Sequence, residues 1–581
     1  MKRLLVIVAS VSLLASCDLF SGLAGGVAGT DDAPLVYFAE SSGGAIDLSL
    51  SAAAGRSASV VFTTGPYDGL AAPTATARDS SVMPLASQAT SASERSRAAT
   101  DAASDSRRAE TRRLLDSYSP PIAPRLSSTG DAGSDAVDDQ ANFTLYGEAT
   151  GSTSATCRLV RSVDFGDRAR SLSIWVADDE WGSVVDQGMV DALADAFFGP
   201  SGTPQESIYY WVTTMLGDEW GSGDSLYYNF QKIDTISASG NVTILLADIE
   251  GDNADDGGIV GYFYSGDTIP SFSYSNERVM FTIDSVMLAE ADGSWDISDP
   301  WPSTVVSTLA HEFQHMIHFY QKGVLRGGDY FTEATWIDEL CAMQVEDLLA
   351  DKLGVAGPRG MDPTDYSAGV SGNIYGRLPE YLLFPDVTPY DWDTAADAEL
   401  TRYYSWAYSF GAYLKRNYGG SEFIRRLVQS ASTDAGAVEA AASAFSGRDE
   451  SIVGLLRRWG AAALLSHRTD APAYYRYNSG GAFSSSSGGV TYRLGSINMY
   501  NYLCQDGVDT DGDKIGDADL VGPYVYDSGT IDWYDGGAYD GEQYYGGGAY
   551  SNAFMDLGDP SSSSDWRFEL PDGMYATIVI D

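Results

Sequence analysis

The sequence predicts an α+β protein: a mixed β-sheet half, a mainly helical half and a β-rich C-terminal module. Three observations lead there. Residues 141–300 hold apolar runs that alternate or cluster as strands between Gly/Asp turns, residues 301–470 show helical spacing, and short strands return after Tyr474. The 581 residues carry 35 Lys and Arg against 81 Asp and Glu, a net charge of −46 that repels phosphate backbones and excludes nucleic acid as a partner. A hydrophobic share of 44%, with 12% aromatic residues, is that of a chain with a buried core.

Met1-Lys-Arg leads into the apolar run Leu4 to Ala15, a positive n-region before an h-region shorter than a membrane span, so residues 1–17 read as a signal peptide. Its end, Leu14-Ala15-Ser16-Cys17, resembles the lipobox of bacterial lipoproteins. That resemblance implies lipidation at Cys17 and an exported protein anchored in the bacterial cell envelope, at the outer membrane or cell surface. Residues 18–140 are rich in Ala, Ser, Gly and Asp, with weak strands at Leu35-Val-Tyr-Phe and Val60-Val-Phe, and read as a tether or a propeptide. Seven of the 35 basic residues fall between Arg95 and Arg125, including the pairs at Arg107 and Arg112 where processing would cut. Cys157, Cys341 and Cys504 are too few and too scattered for a disulfide framework or a Cys-only zinc site.

Within residues 141–300, Phe143-Thr-Leu-Tyr, Thr156 to Val160, Leu172 to Val176, Val242 to Leu246, Ile259 to Tyr264 and Val279 to Ile283 read as strands, with a helix over Val185 to Phe198. Residues 301–470 begin with the segment that carries the chemistry, and residues 471–581 close the chain with strands such as Val490 to Leu494 and Tyr575 to Ile580.

That segment runs Ser303-Thr-Val-Val-Ser-Thr-Leu-Ala-His311-Glu312-Phe-Gln-His315-Met-Ile-His318. Ser303 reads as an N-cap, Gly323 as a stop, and Val306, Leu309, Phe313, Met316, Ile317 and Tyr320 as a buried stripe. His311 and His315, four apart on one helix, project from the same face and can bind one metal ion, with Glu312 beside them. Neutral imidazoles suit Zn²⁺, an open position holds water, and a Glu accepts that water's proton. Only four His occur in the chain and three lie here. A third ligand is needed, and Glu339, Glu333 and Glu346 are the candidates. Thr335 and Asp338 read as a capping box opening the helix that bears Glu339.

His318 and Gln321 stand where metzincins require Gly and His or Asp, which excludes that class. Trp336-Ile-Asp-Glu339-Leu-Cys-Ala resembles the aminopeptidase N stretch Trp-Leu-Asn-Glu-Gly-Phe-Ala, so the pair of motifs looks like a gluzincin. Ala310 to Phe319 with Trp336 to Glu339, preceded by Gly257-Gly-Ile-Val-Gly-Tyr-Phe and Ser275 to Asp284, is most similar to the hyicolysin-type neutral zinc metallopeptidases, over about residues 141–470. The resemblance implies a gluzincin-like fold with the zinc helix between a sheet and a helical half-domain. It implies zinc on His311, His315 and Glu339, Glu312 as general acid and base, and protein or peptide as substrate. Leu340 and Met343 depart from the family pattern, the latter standing where many gluzincins place an Asp behind a zinc-ligating His, a role Asp338 could take.

Tyr408-Ser-Phe-Gly411-Ala412 is similar to the Tyr-x-x-Gly-Ala segment of aminopeptidase-type gluzincins, which implies Tyr408 as oxyanion donor, with Tyr403, Tyr404 and His467 as substitutes. Asp509, Asp511, Asp513 and Asp517 alternate with turn residues as oxygen ligands of Ca²⁺ do. That segment resembles a thrombospondin type-3 or dockerin-like calcium loop, and reads equally as a solvated acidic turn. The resulting expectation is an exported, lipid-anchored zinc endopeptidase, in which an edge strand of the sheet pairs with extended substrate. The other reading is a non-catalytic adhesin on the same scaffold, suggested by the Tyr/Gly/Asp-rich C-terminal module.

Overall fold

A computed structural model describes most of residues 34–65, 135–359, 376–499 and 538–580, together with Thr111, Arg112 and Leu115. Cys17, most of the Arg-rich segment, Cys504 and the Asp509 to Asp517 loop lie outside the described residues.

Three strands come first, β1 (Leu35–Glu40), β2 (Ala45–Ser51) and β3 (Ala58–Thr64). They are followed by β4 (Gln140–Leu145), β5 (Gly151–Asp164) and β6 (Ala169–Ala177), then helices α1 (Gln187–Phe198) and α2 (Ile208–Leu216). A hairpin of β7 (Ser225–Tyr228) and β8 (Gln231–Asp234) precedes β9 (Asn241–Ala247), β10 (Gly261–Phe263) and β11 (Met280–Asp284). The helical half holds α3 (Ser285–Ala289), α4 (Pro300–His318), α5 (Thr335–Leu353), α6 (Arg377–Leu383), α7 (Leu400–Asn417), α8 (Ser421–Val428), α9 (Ala435–Ser446) and α10 (Ile452–Leu464). The strands β12 (Phe483–Ser487), β13 (Val490–Leu494), β14 (Asn552–Gly558), β15 (Ser563–Glu569) and β16 (Met574–Ile580) follow.

The central sheet has the order β10-β11-β9-β6-β5-β4, with β9 parallel to both β6 and β11 and the other neighbours antiparallel. Its period-2 pattern fills two faces. Leu172, Ile174, Val176, Val242, Ile244, Leu246, Phe281 and Ile283 enter the main core shared with the helices. Trp175, Ala177, Leu245 and Met280 pack on the other face with Phe143 and Cys157. The α+β class expected from the sequence is the one observed. β10, at the edge, packs beside α4 and so brings the sheet to the metal-binding motif.

Four local readings change. Helix α4 starts at Pro300 behind Asp299, four residues earlier than a Ser303 cap would put it, because Pro is preorganised for the first helical turn. Its end is not at Gly323: a π-helical turn, Phe319–Val324, carries the chain on from His318. Thr335 and Asp338 form no capping box, for α5 has Ala334 at its N-cap and no side-chain cap bond. Helix α2 went unread because Ile208 to Leu216 is apolar almost all round; Ser207 caps it by accepting from the Tyr210 N–H at 3.1 Å.

The largest difference concerns the two ends of the chain. β3 lies between β16 and β14, and β1 flanks β16, in a four-stranded antiparallel sheet, while β2 pairs with β15. The described strands β1, β2 and β3, read in the sequence as weak strands of a tether or propeptide, therefore pair with the described C-terminal strands β14, β15 and β16. The physical reason is the run Val60-Val61-Phe62, no more than 1% exposed, which needs apolar cover and obtains it from β14, β16 and α10.

Candidate metal centre

The α-helical repeat places His311 and His315 one turn apart on α4, with ring centroids 4.7 Å apart. Helix α5 lies against them and presents Glu339. Its carboxylate oxygens stand 3.4 Å from His311 Nε2 and 3.5 Å from His315 Nε2. One ligand atom from each of His311, His315 and Glu339 lies within 4.8 Å of the others. All three residues are buried, His311 at 3%, His315 at 4% and Glu339 at 1% exposure.

These donors fit a zinc ion on two grounds. Tetrahedral ligands bonded at about 2.1 Å sit about 3.4 Å from one another, the spacing found here. His315 Nε2 and Glu339 Oε2 are buried atoms with no hydrogen-bond partner, a costly state unless they serve as ligands.

Behind each imidazole stands a carboxylate. His311 Nδ1 is 2.8 Å from Glu346 Oε1, and the other Glu346 oxygen accepts from the Ser307 hydroxyl at 2.7 Å. His315 Nδ1 faces Asp338 Oδ1 at 3.1 Å. Burial alone would lower the His315 pKa, but Asp338 and Glu339 outweigh it and lift the ring to about 9. A site that draws positive charge this strongly suits a dication.

Glu312 is fully buried beside the two rings. Its Oε2 accepts the Phe263 N–H of β10 at 2.8 Å, while Oε1 has no hydrogen-bond partner. Burial pushes its carboxyl up, opposed by His315, His311 and the Phe263 amide. The Phe263 N–H is thereby committed to Glu312 and is not open to an incoming strand.

The family model of peptidase M30 matches residues 151–486, which takes in the central sheet from β5 onward, both histidines and Glu339. The chain belongs to the peptidase M30 family. It is also similar to the neutral metalloprotease ShpI of Staphylococcus hyicus, 24% identical over 211 residues, or 36% of this chain. The match spans 43% of that relative's length.

Glu346 and Glu333, weighed as third ligands, lie elsewhere: Glu346 on His311 Nδ1 and Glu333 against His318 Nε2 at 3.2 Å and Lys322 Nζ at 2.6 Å. Tyr408 is not brought to the histidines. Its buried phenol is raised by desolvation and by Asp347, eight residues and about 12 Å of helix rise beyond Glu339. Tyr403 and Tyr404 pack on Trp392 at 5.8 and 4.7 Å, and His467 follows α10 near Asp470. Sequence reading missed the Phe263 amide, because a backbone donor leaves no residue-type signal. It weighed Glu346 only as a ligand, although spacing of seven from Glu339 puts both on one helix face.

Proposed function

We propose that this M30 peptidase is an exported zinc-dependent endopeptidase, with His311, His315 and Glu339 as zinc ligands in a gluzincin arrangement. The observation that carries the reading is the convergence of those three donors with the unbonded Oε1 of Glu312 beside them. Zinc held there supplies Lewis-acid polarisation of the scissile carbonyl and acidifies a water molecule. The chain's own contribution is to fix the donors and move a proton. Glu346 and Asp338 orient the two rings from behind, leaving both Nε2 atoms turned toward Glu339. Glu312, steadied by the Phe263 amide, takes the water's proton on Oε1 and returns it to the leaving amine. The closed, buried setting excludes bulk water and strengthens each of these interactions.

Export and lipid attachment at Cys17 rest on the N-terminal sequence, and a calcium role for Asp509, Asp511, Asp513 and Asp517 rests on that segment's spacing. Among the described residues no helix is long and apolar enough to cross a membrane.

The test is metal content by elemental analysis beside hydrolysis of a quenched peptide and casein, with and without chelator. About one zinc per chain with chelator-sensitive internal cleavage supports the reading. A chain that cleaves at full rate after complete zinc removal refutes it.

A further inference from the structure

Beyond Asp338 the buried polar contacts do not stop. Asp338 Oδ1 lies 2.6 Å from His318 Nδ1, and its Oδ2 accepts the Tyr330 hydroxyl at 3.0 Å. His318 Nε2 faces Glu333 Oε2 at 3.2 Å, Glu333 Oε1 faces Lys322 Nζ at 2.6 Å, and Lys322 donates to the Ser432 carbonyl at 2.8 Å. The side chains of His318, Glu333 and Lys322 are 0% exposed and that of Asp338 2%. Lys322 comes from the π-helical turn that follows α4 immediately after His318, a kind of distortion concentrated at functional sites.

We propose that Lys322, Glu333, His318 and Tyr330 form a buried positioning chain that locks the Asp338 carboxylate against His315 and thereby sets how tightly the site retains its metal. The inference rests on the zinc reading given above. Its argument is one of cost and geometry. Apolar residues of equal volume would fill this space without desolvating two carboxylates and an ammonium, so the network needs a reason beyond packing. The reason lies in its two ends. One end, the Ser432 carbonyl, is fixed backbone, and the other is the ring atom of His315 opposite its ligand nitrogen. A carboxylate held from two further sides, by His318 and Tyr330, cannot swing away from His315, and a fixed carboxylate keeps the imidazole in the orientation and tautomer that direct Nε2 at Glu339. These are positioning residues, since His315 stands between them and the ligand site.

The experiment measures zinc transfer from the loaded full-length chain to a chromogenic chelator, together with the visible absorption bands of the Co²⁺-substituted protein. Tyr330→Phe removes a single hydroxyl and keeps the ring, so it reads the network even where Glu333→Gln fails to fold. Glu333→Gln should release zinc about tenfold or more faster and Tyr330→Phe severalfold faster, both with shifted Co²⁺ bands. Glu333→Asp, which keeps the charge, should restore part of the retention. Wild-type release rates and bands in all folded variants, with Glu346→Gln fast, would overturn the positioning chain while leaving the zinc site intact. A wild-type chain that binds neither metal would instead overturn the zinc reading on which the inference stands.

Discussion

Glu339 and Glu346 stand on opposite sides of one imidazole: Glu339 Oε2 is 3.4 Å from His311 Nε2, and Glu346 Oε1 is 2.8 Å from His311 Nδ1. The two carboxylates are seven residues apart on α5, two turns and about 10 Å of rise, which a ring with a contact at each end spans. One helix thus supplies both a candidate ligand and the group that orients its neighbour. Replacing Glu346 with Gln removes the charge behind His311 and keeps the volume. Zinc affinity, measured by competition with a chelator of known strength, should fall about 10- to 100-fold. Ser307→Ala, which touches only the second Glu346 oxygen, should have a smaller effect in the same direction.

Glu312→Gln separates chemistry from metal binding. The amide can still accept the Phe263 N–H, so the fold and the three donors remain, but it has no basic oxygen for a proton. Hydrolysis of the quenched peptide should drop by at least about 100-fold with zinc content unchanged. Full activity in that variant would end the role given to Glu312.

The candidate site is legible in the sequence where its geometry is local. His311, Glu312 and His315 share one helix turn, so their spacing alone sets their faces, and Glu339 was found through a second short motif. What escaped depends on how elements meet. Asp338, read both as a helix cap and as a group that could stand behind a zinc-ligating His, faces His315 but also His318 and Tyr330, contacts the sequence did not signal, and burial and Asp347 raise the Tyr408 phenol on α7. The α+β class likewise followed from local periodicity. The pairing of Leu35 with Ile580 did not, because nothing local records which distant strand will cover an apolar run.

A buried ion pair behind α5 gives a stability signature. Lys415 Nζ is 2.6 Å from Asp347 Oδ2, with Lys415 side chain 0% and Asp347 4% exposed. Burial pushes the Asp347 carboxyl up, but Lys415, Arg416 and Arg359 outweigh it and hold it at about 2, below its ordinary 3.8. Between those values the unfolded chain binds more protons than the folded one, so stability is lost as pH falls through that window. The loss amounts to about 2 kcal/mol. Asp347→Asn leaves Lys415 buried without its counter-charge and should cost about 3–5 kcal/mol at pH 7, read from urea unfolding. The same variant should flatten the acid dependence below about pH 4.

The terminal sheet decides what a cut in the Arg-rich segment would do. A removable propeptide would leave after cleavage between Arg95 and Arg125. β3, however, is hydrogen-bonded on one side to β14 and on the other to β16, with Val60, Val61 and Phe62 packed inside. Each of those side chains contributes about 1.5–3 kcal/mol on burial, and all would be exposed if the fragment departed. Helix α10 is fitted to the same strand, for a Cβ added at Gly460 would come within 2.6 Å of Val61 Cγ1. Limited trypsin digestion should therefore give a nicked chain whose two fragments co-elute on native gel filtration and separate only in denaturant. Val61→Asp places a charge against Gly460 and should release the N-terminal fragment from the nicked chain, whereas Glu40→Gln, an exposed change on β1, should not. Dissociation of the wild-type fragment under native conditions would return residues 35–64 to the role of a removable segment.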